Sequence, residues 1–554
     1  MTSNHIKKKS IRGLIVLGII FLIMKGLEWS IEWKFQDMIN SNPGRAYNIT
    51  YADFDLDLFF TGVTLDEVRI DPLNPGNGTI VTGQVDYATI NGLVWSDLLF
   101  GRKLNLDEIA FEQPLFEVIL SADSTNTKTT KDHQGKGLQV MFGDILSRAN
   151  LNSFRIQNGA VVLRDSVSHD VKGEVKRLNI QASEIETDSL KFNNLIPFEM
   201  GNLEVDIDSI SFEINDYTHA KLGRFHYNLR EKEILIKDIS LGYSIDWVEV
   251  SRRIGFQNDI IEFNIKEIGI HELEPSSNFY TQLDIQAQKV SVDELHIKLQ
   301  RNMNIPRPPD VVKPMFQGII NAIPMAILID SVQISNSSVT YGELGINKSE
   351  TGSLEIQEIN GNITGVTNMP EQQKNLGQLD AKIKARLLDK AGINIDLSFP
   401  YDKETFSMAL AVGAMDLTSL NPTLKPLGGV EMVSGQMRRI QFHMNAGAVQ
   451  SHDKLVFDYS NLHVKMITDN SKHKDHKKVL LSAIANGAIR TNNLPDQKKY
   501  LVAEYQSERN AYRSPINYIL QGLIHGFTRI VPGKVVQKII IMEDKKKKKK
   551  KKKN

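Results

Sequence analysis

Between residue 30 and about residue 500, hydrophobic and polar positions alternate with a period of two. YADFDLDLFF sets Phe54, Leu56 and Leu58 against Asp53, Asp55 and Asp57, and KEILIKDISLGY, TQLDIQAQKVSVDELHIKL, GSLEIQEINGNITGV and KLVFDYSNLHVKM read alike. Successive side chains of a strand point to opposite faces, so these segments are strands with one apolar and one wet face. Gly, Asn and Asp between them mark turns. No strand–helix alternation appears, which argues against a parallel doubly wound sheet.

One short form breaks the alternation, each time in the same way. In Leu65-Asp66-Glu67-Val68-Arg69-Ile70 the apolar residues at the first and fourth places are three apart, which strict alternation puts on opposite faces. The form recurs as Leu106-Asp107-Glu108-Ile109-Ala110-Phe111 and Val292-Asp293-Glu294-Leu295-His296-Ile297. With Ser in third place it returns as Leu151-Asn152-Ser153-Phe154-Arg155-Ile156, Ile207-Asp208-Ser209-Ile210-Ser211-Phe212 and Ile329-Asp330-Ser331-Val332-Gln333-Ile334. A β-bulge, in which two residues oppose one on the partner strand, restores the facing; a tight turn is the competing geometry. Asp, Asn and Ser suit the kink because their side chains satisfy local backbone groups.

The bulge reading turns Leu65, Val68 and Ile70 inward, with Ile109, Phe111, Phe154, Ile156, Ile210, Phe212, Leu295, Ile297, Ile329, Val332 and Ile334, and leaves Gln333 outside. Six copies bend a sheet repeatedly in one sense. The fold class expected is mainly β: an elongated, curved, repetitive antiparallel sheet, groove-like or jelly-roll-like, with short interspersed helices. At ~15 residues per strand and turn, about 450 residues give on the order of 30 strands, or about 140 Å of continuous sheet. The Asp-Glu pairs are not an acid and base: adjacent carboxylates point to opposite sides, and an enzyme needs one constellation rather than six near-copies.

Helical patches interrupt the strands at NGLVWSDLLFGRK, LQVMFGDILSRAN and DVVKPMFQGIINAI, each preceding a copy of the repeated form. Polar 121–137 and Pro-rich 305–314 read as linkers. After Arg513 the period changes: Ile516, Ile519, Leu520, Leu523, Ile524, Phe527 and Ile530 step by three and four until Pro532. This amphipathic helix either caps the sheet or lies on a membrane or partner, the outer membrane among them.

At the N-terminus Lys7, Lys8, Lys9 and Arg12 precede the apolar run Gly13–Met24, and Trp29 and Trp33 follow it. Small residues at a cleavage-like spacing are missing after it, so the reading is an uncleaved signal-anchor rather than a cleaved signal peptide. Leu14, Ile15, Val16, Leu17, Ile19, Ile20, Phe21, Leu22 and Ile23 form its apolar face, with the N-terminus cytoplasmic and everything after it exported.

The boundaries are therefore 1–10 basic tail, 11–29 transmembrane anchor, 30–120 first β segment, 121–137 linker and 138–304 middle β segment. Then follow 305–314 linker, 315–512 last β segment, 513–542 amphipathic helix region and 543–554 lysine tail.

Net charge hides an asymmetry. The formal balance is zero only because nine lysines run from Lys545 to Lys553, and the rest of the chain is about nine charges acidic. An acidic body argues against a nucleic-acid surface. Cys is absent, which removes disulfides, thiol nucleophiles and thiolate metal sites.

TGVTLDEVRI and VDYATINGLVWSDLLFGRKLNLDEIAFEQPLFEVIL near the start resemble the AsmA-like family of anchored periplasmic β-groove proteins, related to AsmA and TamB. FSMALAVGAMDLTSLNPTLKPLGGVEMVSGQMRRIQFHMNA, KLVFDYSNLHVKM and LSAIANGAIRTNN resemble its C-terminal segment. The likeness covers most of residues 10–530 and lies in the order of loose, apolar motifs. It implies a bacterial inner-membrane anchor, a periplasmic groove with an apolar interior, and a role in outer-membrane biogenesis through moving phospholipid between membranes. Phospholipid acyl chains and the inner membrane are the partners so implied. A non-transporting scaffold assisting outer-membrane protein assembly is the second reading, and a hydrolase of envelope polymers the third.

No Gly-rich phosphate loop, nucleophile elbow or paired-His zinc helix appears, and no catalytic residue, cofactor or metal is expected. Asp53, Asp55 and Asp57 have calcium-loop spacing, but Phe54 and Leu56 between them, and Leu58 where Gly is required, make a strand. His473, Asp475 and His476 lie among lysines in a polar loop, and His443 and His463 read as sheet-face residues.

Overall fold

The computed structural model describes residues 19, 21, 22, 24–26, 28–37, 39, 40, 44–57, 61–74, 79–93, 104–120, 141, 149–186, 199–274, 284–466 and 489–533. They form two compact units. The first comprises Met1–Glu213, Lys221–Leu235 and Pro275–Leu283; the second comprises Ile214–Ala220, Ile236–Glu274 and Asp284–Asn554. Strands dominate both, as the period of two requires.

In the first unit β1 (Tyr47–Thr50), β2 (Asp53–Leu56), β3 (Gly62–Pro72), β4 (Ile80–Asn91), β5 (Leu104–Glu112) and β6 (Leu115–Leu120) pair antiparallel around β3 and β4. Next come β7 (Ala149–Asp165), β8 (Val171–Glu186), β9 (Glu199–Asn215) and β11 (Arg224–Asn228). Strands β9, β10 (Thr218–Leu222) and β12 (Glu233–Tyr243) have residues in both units.

In the second unit β13 (Asp259–Leu273), β14 (Asp284–Asn302), β15 (Ala326–Leu344), β16 (Thr351–Thr367), β17 (Gln378–Leu387), β18 (Ala391–Pro400) and β19 (Phe406–Val412) pair in chain order. Strand β19 continues to β21 (Val430–Ala446), which also takes the short β20 (Met415–Asp416), and then to β22 (Gln450–Met466) and β23 (Ala503–Glu508). Among the described residues five α-helices decorate it: α1 (Trp247–Ile254), α2 (Phe316–Asn321), α3 (Pro370–Leu376), α4 (Asn421–Gly428) and α5 (Pro515–Ile530). Of the three predicted helical patches, DVVKPMFQGIINAI contains α2, while the other two fall mostly outside the described residues.

The sheet pairing is mixed, which corrects the antiparallel expectation. Strands β5 and β6 both run parallel to β7, and β14 runs parallel to β15. A parallel pair needs a crossover, and the segments expected as linkers sit in these connections. Residues 305–314 belong to the return from Asn302 to Ala326, where α2 lies on the apolar face with Phe316 5.7 Å from Phe399 and 5.2 Å from Phe406.

The repeated form keeps its facing, but not by the geometry expected. At none of the six copies does one strand gain a residue over its antiparallel partner; both strands skip together. In four copies the second residue stands opposite a left-handed residue on the neighbour. Asp107 faces Gly92 (φ 75°), Asn152 faces Glu184 (φ 58°), Asp208 faces Arg177 (φ 50°) and Asp330 faces Gly365 (φ 74°). In the other two the Glu in third place is itself left-handed: Glu67 (φ 47°) opposite Asp86, and Glu294 (φ 49°) opposite Lys266. A left-handed residue costs an L-amino acid about 1–2 kcal/mol, and here it lets strands run unbroken to 19 residues. Among the described residues there are 23 strands.

Among the described residues no helix is long and apolar enough to cross a membrane. Of the predicted anchor, Leu14, Ile15, Val16, Leu17, Ile20 and Ile23 lie outside the described residues, while Ile19, Phe21 and Leu22 are helical and exposed. Trp29 and Trp33 on the following helical residues are 72% and 64% exposed, whereas Phe35 is buried against Phe54.

Candidate functional site

The fourteen inward-facing candidates divide by unit. In the first, Leu65, Val68, Ile70, Ile109, Phe111, Phe154 and Ile156 are buried. Phe111 meets Phe154 edge-on at 5.5 Å, and Gly83 leaves room only for Ile70 and Phe116. That face is filled by the protein's own side chains. Toward the end of the repeat Ile210 is half-buried and Phe212 is 38% exposed.

In the second unit Ile329 is buried, while Leu295, Ile297, Val332 and Ile334 are half-buried and Gln333 is exposed. Strand registry extends these into rows. Ile268, Val292, Ile334, Gly361, Ile383, Ile395 and Leu410 stand side by side across β13 to β19. The next row reads Ile270, Val290, Val332, Ile363, Ala381, Leu397 and Met408. Between them, on the opposite face, run Gly269, Ser291, Gln333, Asn362, Lys382, Asp396 and Ala409.

Seven strands at ~4.8 Å spacing make each row about 29 Å long. That is about twice the ~15 Å occupied by the chains of one leaflet. In the first row every side chain from β13 to β19 is half-buried, and Gly361 contributes none, its place being covered by the Ile383 side chain.

The row closes at β21 and β22, where Phe442 and Leu455 are fully buried beneath α5. Ser514 caps that helix by accepting from the Asn517 N–H, and Pro515 opens it. Its contact face takes only the end of the apolar stripe that its period predicts, where Phe527 meets Phe457 and Ile530 is buried. Tyr518, Gly522 and Gly526 face the sheet, while Ile516 and Leu520 are 62% and 50% exposed. Glycine at 522 and 526 lets the helix backbone approach Phe442 and Leu455 closely. The capping reading and the outward-facing reading thus describe two sides of one helix.

Under α5 the second row ends in a charge. Asp453, aligned with Met444 and Tyr505, is 4% exposed. The Ser507 hydroxyl donates to its carboxylate at 2.5 Å and also lies 3.2 Å from His525 Nδ1 on the helix. The Tyr505 hydroxyl donates to the Gly522 carbonyl at 2.7 Å. Burial pushes the Asp453 carboxyl and the Tyr505 phenol above their ordinary values. Residue types suggest a nucleophile, base and acid, but Ser507 gives its proton toward the carboxylate beneath a packed helix. The group fastens α5 to the sheet. Sequence reading missed it because its members come from three elements.

Among the described residues two clusters bring three oxygen or nitrogen ligands within 4.8 Å: Asp53, Asp55 and Asp66, and Glu204, Asp206 and His226. The first places two of the predicted strand aspartates against the repeated form, while Asp57 instead accepts from the Thr61 N–H. In the second, Asp206 already accepts from His226 at 3.0 Å and from Arg224 at 3.4 Å. His443 and His463 are exposed on strand faces, and His473 and His476 lie outside the described residues. On the polar face Lys382, Asp396, Ala409 and His443 line an open trough of ≈ 280 Å³.

Comparison with known protein families and with curated proteins found no match.

Proposed function

We propose that this is an inner-membrane-anchored periplasmic protein of outer-membrane biogenesis that carries phospholipid acyl chains along the aliphatic face of its second unit. The observation behind this reading is the half-buried row from Ile268 to Leu410. Seven adjacent strands offer water an aliphatic surface that contains no charge. At about 25 cal/mol per Å² of apolar surface removed from water, acyl chains laid on it are held without any specific polar contact. Such a site accepts many lipids and selects them weakly. The resemblance to the AsmA-like family supports the envelope setting, and the basic residues ahead of Gly13–Met24 support an anchor with the body exported.

The filled face of the first unit favours a different role for that part, a scaffold for outer-membrane proteins during assembly. Photo-crosslinking groups placed at residues 334 and 333 test the lipid reading. Capture of phospholipid from position 334 and not from 333 is the expected result, with mass spectrometry of co-purified lipid as a second measure. Equal capture at both positions, or at neither, leaves only the scaffold.

A further inference from the structure

Helix α5 turns its small residues to the sheet and leaves an apolar stripe on its far side. Ile516 and Leu520 lie one turn apart and are exposed, and half-buried Leu523 continues the stripe until Phe527 turns in against Phe457. The start of the helix is not alone there. The Lys313 N–H donates to the Ala511 carbonyl at 2.8 Å, and the Arg509 guanidinium donates to the Lys313 carbonyl at 2.5 Å. These bonds press the Pro-rich crossover against the turn that leads into α5. Val311 and Val312 on the crossover are 60% and 66% exposed, and Tyr512 on the turn is 46% exposed.

Cations accompany the apolar residues. Arg307, Lys313 and Arg513 have no ion-pair partner among the described residues, and Asp310 is the one acid on the crossover between Arg307 and Lys313. Burial, with the neighbouring charges of Arg307 and Arg301, holds the Arg513 guanidinium below its usual value. Arg301 is paired with Asp259 and Asp310 offsets part of the repulsion at Arg513, but Arg307 and Arg513 still oppose each other, and an anionic surface relieves that. Exposed aliphatic side chains with a Tyr and a cationic rim are what the interface of an anionic bilayer accepts: the apolar residues enter below the head groups and the cations meet phosphate. An isolated large apolar patch on a soluble surface calls for such a partner.

We propose that Val311, Val312, Tyr512, Ile516 and Leu520, rimmed by Arg307 and Lys313, dock onto the anionic leaflet of a second bilayer. The word "second" rests on the anchoring proposed for the N-terminus; the docking surface does not. In this arrangement the closed end of the aliphatic row, beneath α5, is the end held at a membrane.

The test uses the full-length protein in phosphatidylcholine nanodiscs, offered phosphatidylcholine vesicles with and without phosphatidylglycerol. Vesicles containing phosphatidylglycerol are captured by the wild type. Ile516→Ser with Leu520→Ser lowers capture by at least about tenfold, because two aliphatic side chains no longer leave water. Arg307→Ser with Lys313→Ser abolishes the preference for phosphatidylglycerol. All four side chains are exposed, so thermal unfolding of both variants stays at the wild-type midpoint.

Equal capture by wild type and both variants overturns the proposal, as does the absence of capture. So does a dimer in sedimentation that Ile516→Ser and Leu520→Ser dissolve, which assigns the face to a second copy. Failure to enter nanodiscs speaks against the anchor alone. The same vesicles and variants are then compared by flotation of the unanchored protein. Crosslinking at position 334 reports on the aliphatic row independently.

Discussion

Arg177 stands directly opposite Asp208 with its backbone left-handed at φ 50° and its Nε 2.7 Å from the carboxylate. The ion pair is exposed and contributes at most about 1 kcal/mol. The backbone matters more. One residue in the left-handed region against one in the repeated form shifts the facing of both strands together, so Leu178 and Ile207 remain paired.

Glu67 tests the cost of this device. It is exposed and left-handed, and its side chain supports no buried contact. Glu67→Gly is expected to hold or raise stability by up to about 1 kcal/mol, because glycine adopts that conformation freely. Glu67→Val is expected to lower stability by about 1–2 kcal/mol, since a β-branched residue fits the left-handed region worst. Urea unfolding midpoints measure both; equal effects would remove the strain argument.

The sequence made the faces legible and the partners illegible. Leu65 and Val68 are buried together as their spacing demanded, because burial follows from the chain's own pattern. Which strand carries the left-handed residue does not. Gly92 and Gly365 lie on neighbours outside the repeated form, and nothing in LDEIAF or IDSVQI names them. Parallel pairing was hidden for a related reason. Strands β14 and β15 each show the same alternation whichever way the neighbour runs, and the direction is set by a crossover that reads like a linker. The aliphatic rows were visible one strand at a time, but their alignment across seven strands needed registry. The apolar period of α5 was correct as a period but marked the contact only at Phe527 and Ile530, because the sheet takes Gly522 and Gly526 where Ile516 and Leu520 were expected.

Gly526 gives that last point a measurable form. A Cβ there meets the Tyr505 hydroxyl and Leu455 Cδ2, the latter at 2.5 Å. Gly526→Ala therefore either lifts α5 or displaces a buried tyrosine, at about 1–3 kcal/mol. Ile516→Ser, on the exposed side of the same helix, is expected to change stability by less than about 0.5 kcal/mol. Chemical denaturation distinguishes the two, and a neutral Gly526→Ala would show that α5 does not pack closely through this face.

Asp453 makes the attachment of α5 depend on pH. Its folded pKa is raised above the ordinary carboxyl value of 3.8 by burial. A carboxyl shifted in that direction stabilises the fold fully below the ordinary value, and the contribution is lost as pH rises through the folded one. Asp453→Asn has no proton to lose. The stability of the variant relative to wild type is thus expected to increase with pH across that window and then level off. Parallel stability–pH curves for the two proteins would show that Asp453 is as well solvated folded as unfolded.

The aliphatic row makes the sharpest demand at residues 333 and 334, adjacent in sequence and on opposite faces of β15. Gln333 aligns with Ser291 and Asn362 on the polar face, and Ile334 with Val292 and Gly361 on the apolar one. A carboxylate at Ile334 occupies the place proposed for acyl chains. Covering it with hydrocarbon costs several kcal/mol or forces it to take a proton. Without lipid, however, it stays half in water beside a glycine, so the fold itself loses only about 1–2 kcal/mol. Ile334→Glu is therefore expected to fold, to lose co-purifying phospholipid and to fail in envelope function. At pH values low enough to protonate the new carboxyl, part of the lipid binding returns. Gln333→Glu, wet in both states, is expected to match wild type in lipid content and within about 0.5 kcal/mol in stability. Lipid mass spectrometry on the two variants decides the matter: undiminished lipid on Ile334→Glu would mean that acyl chains do not lie on this row.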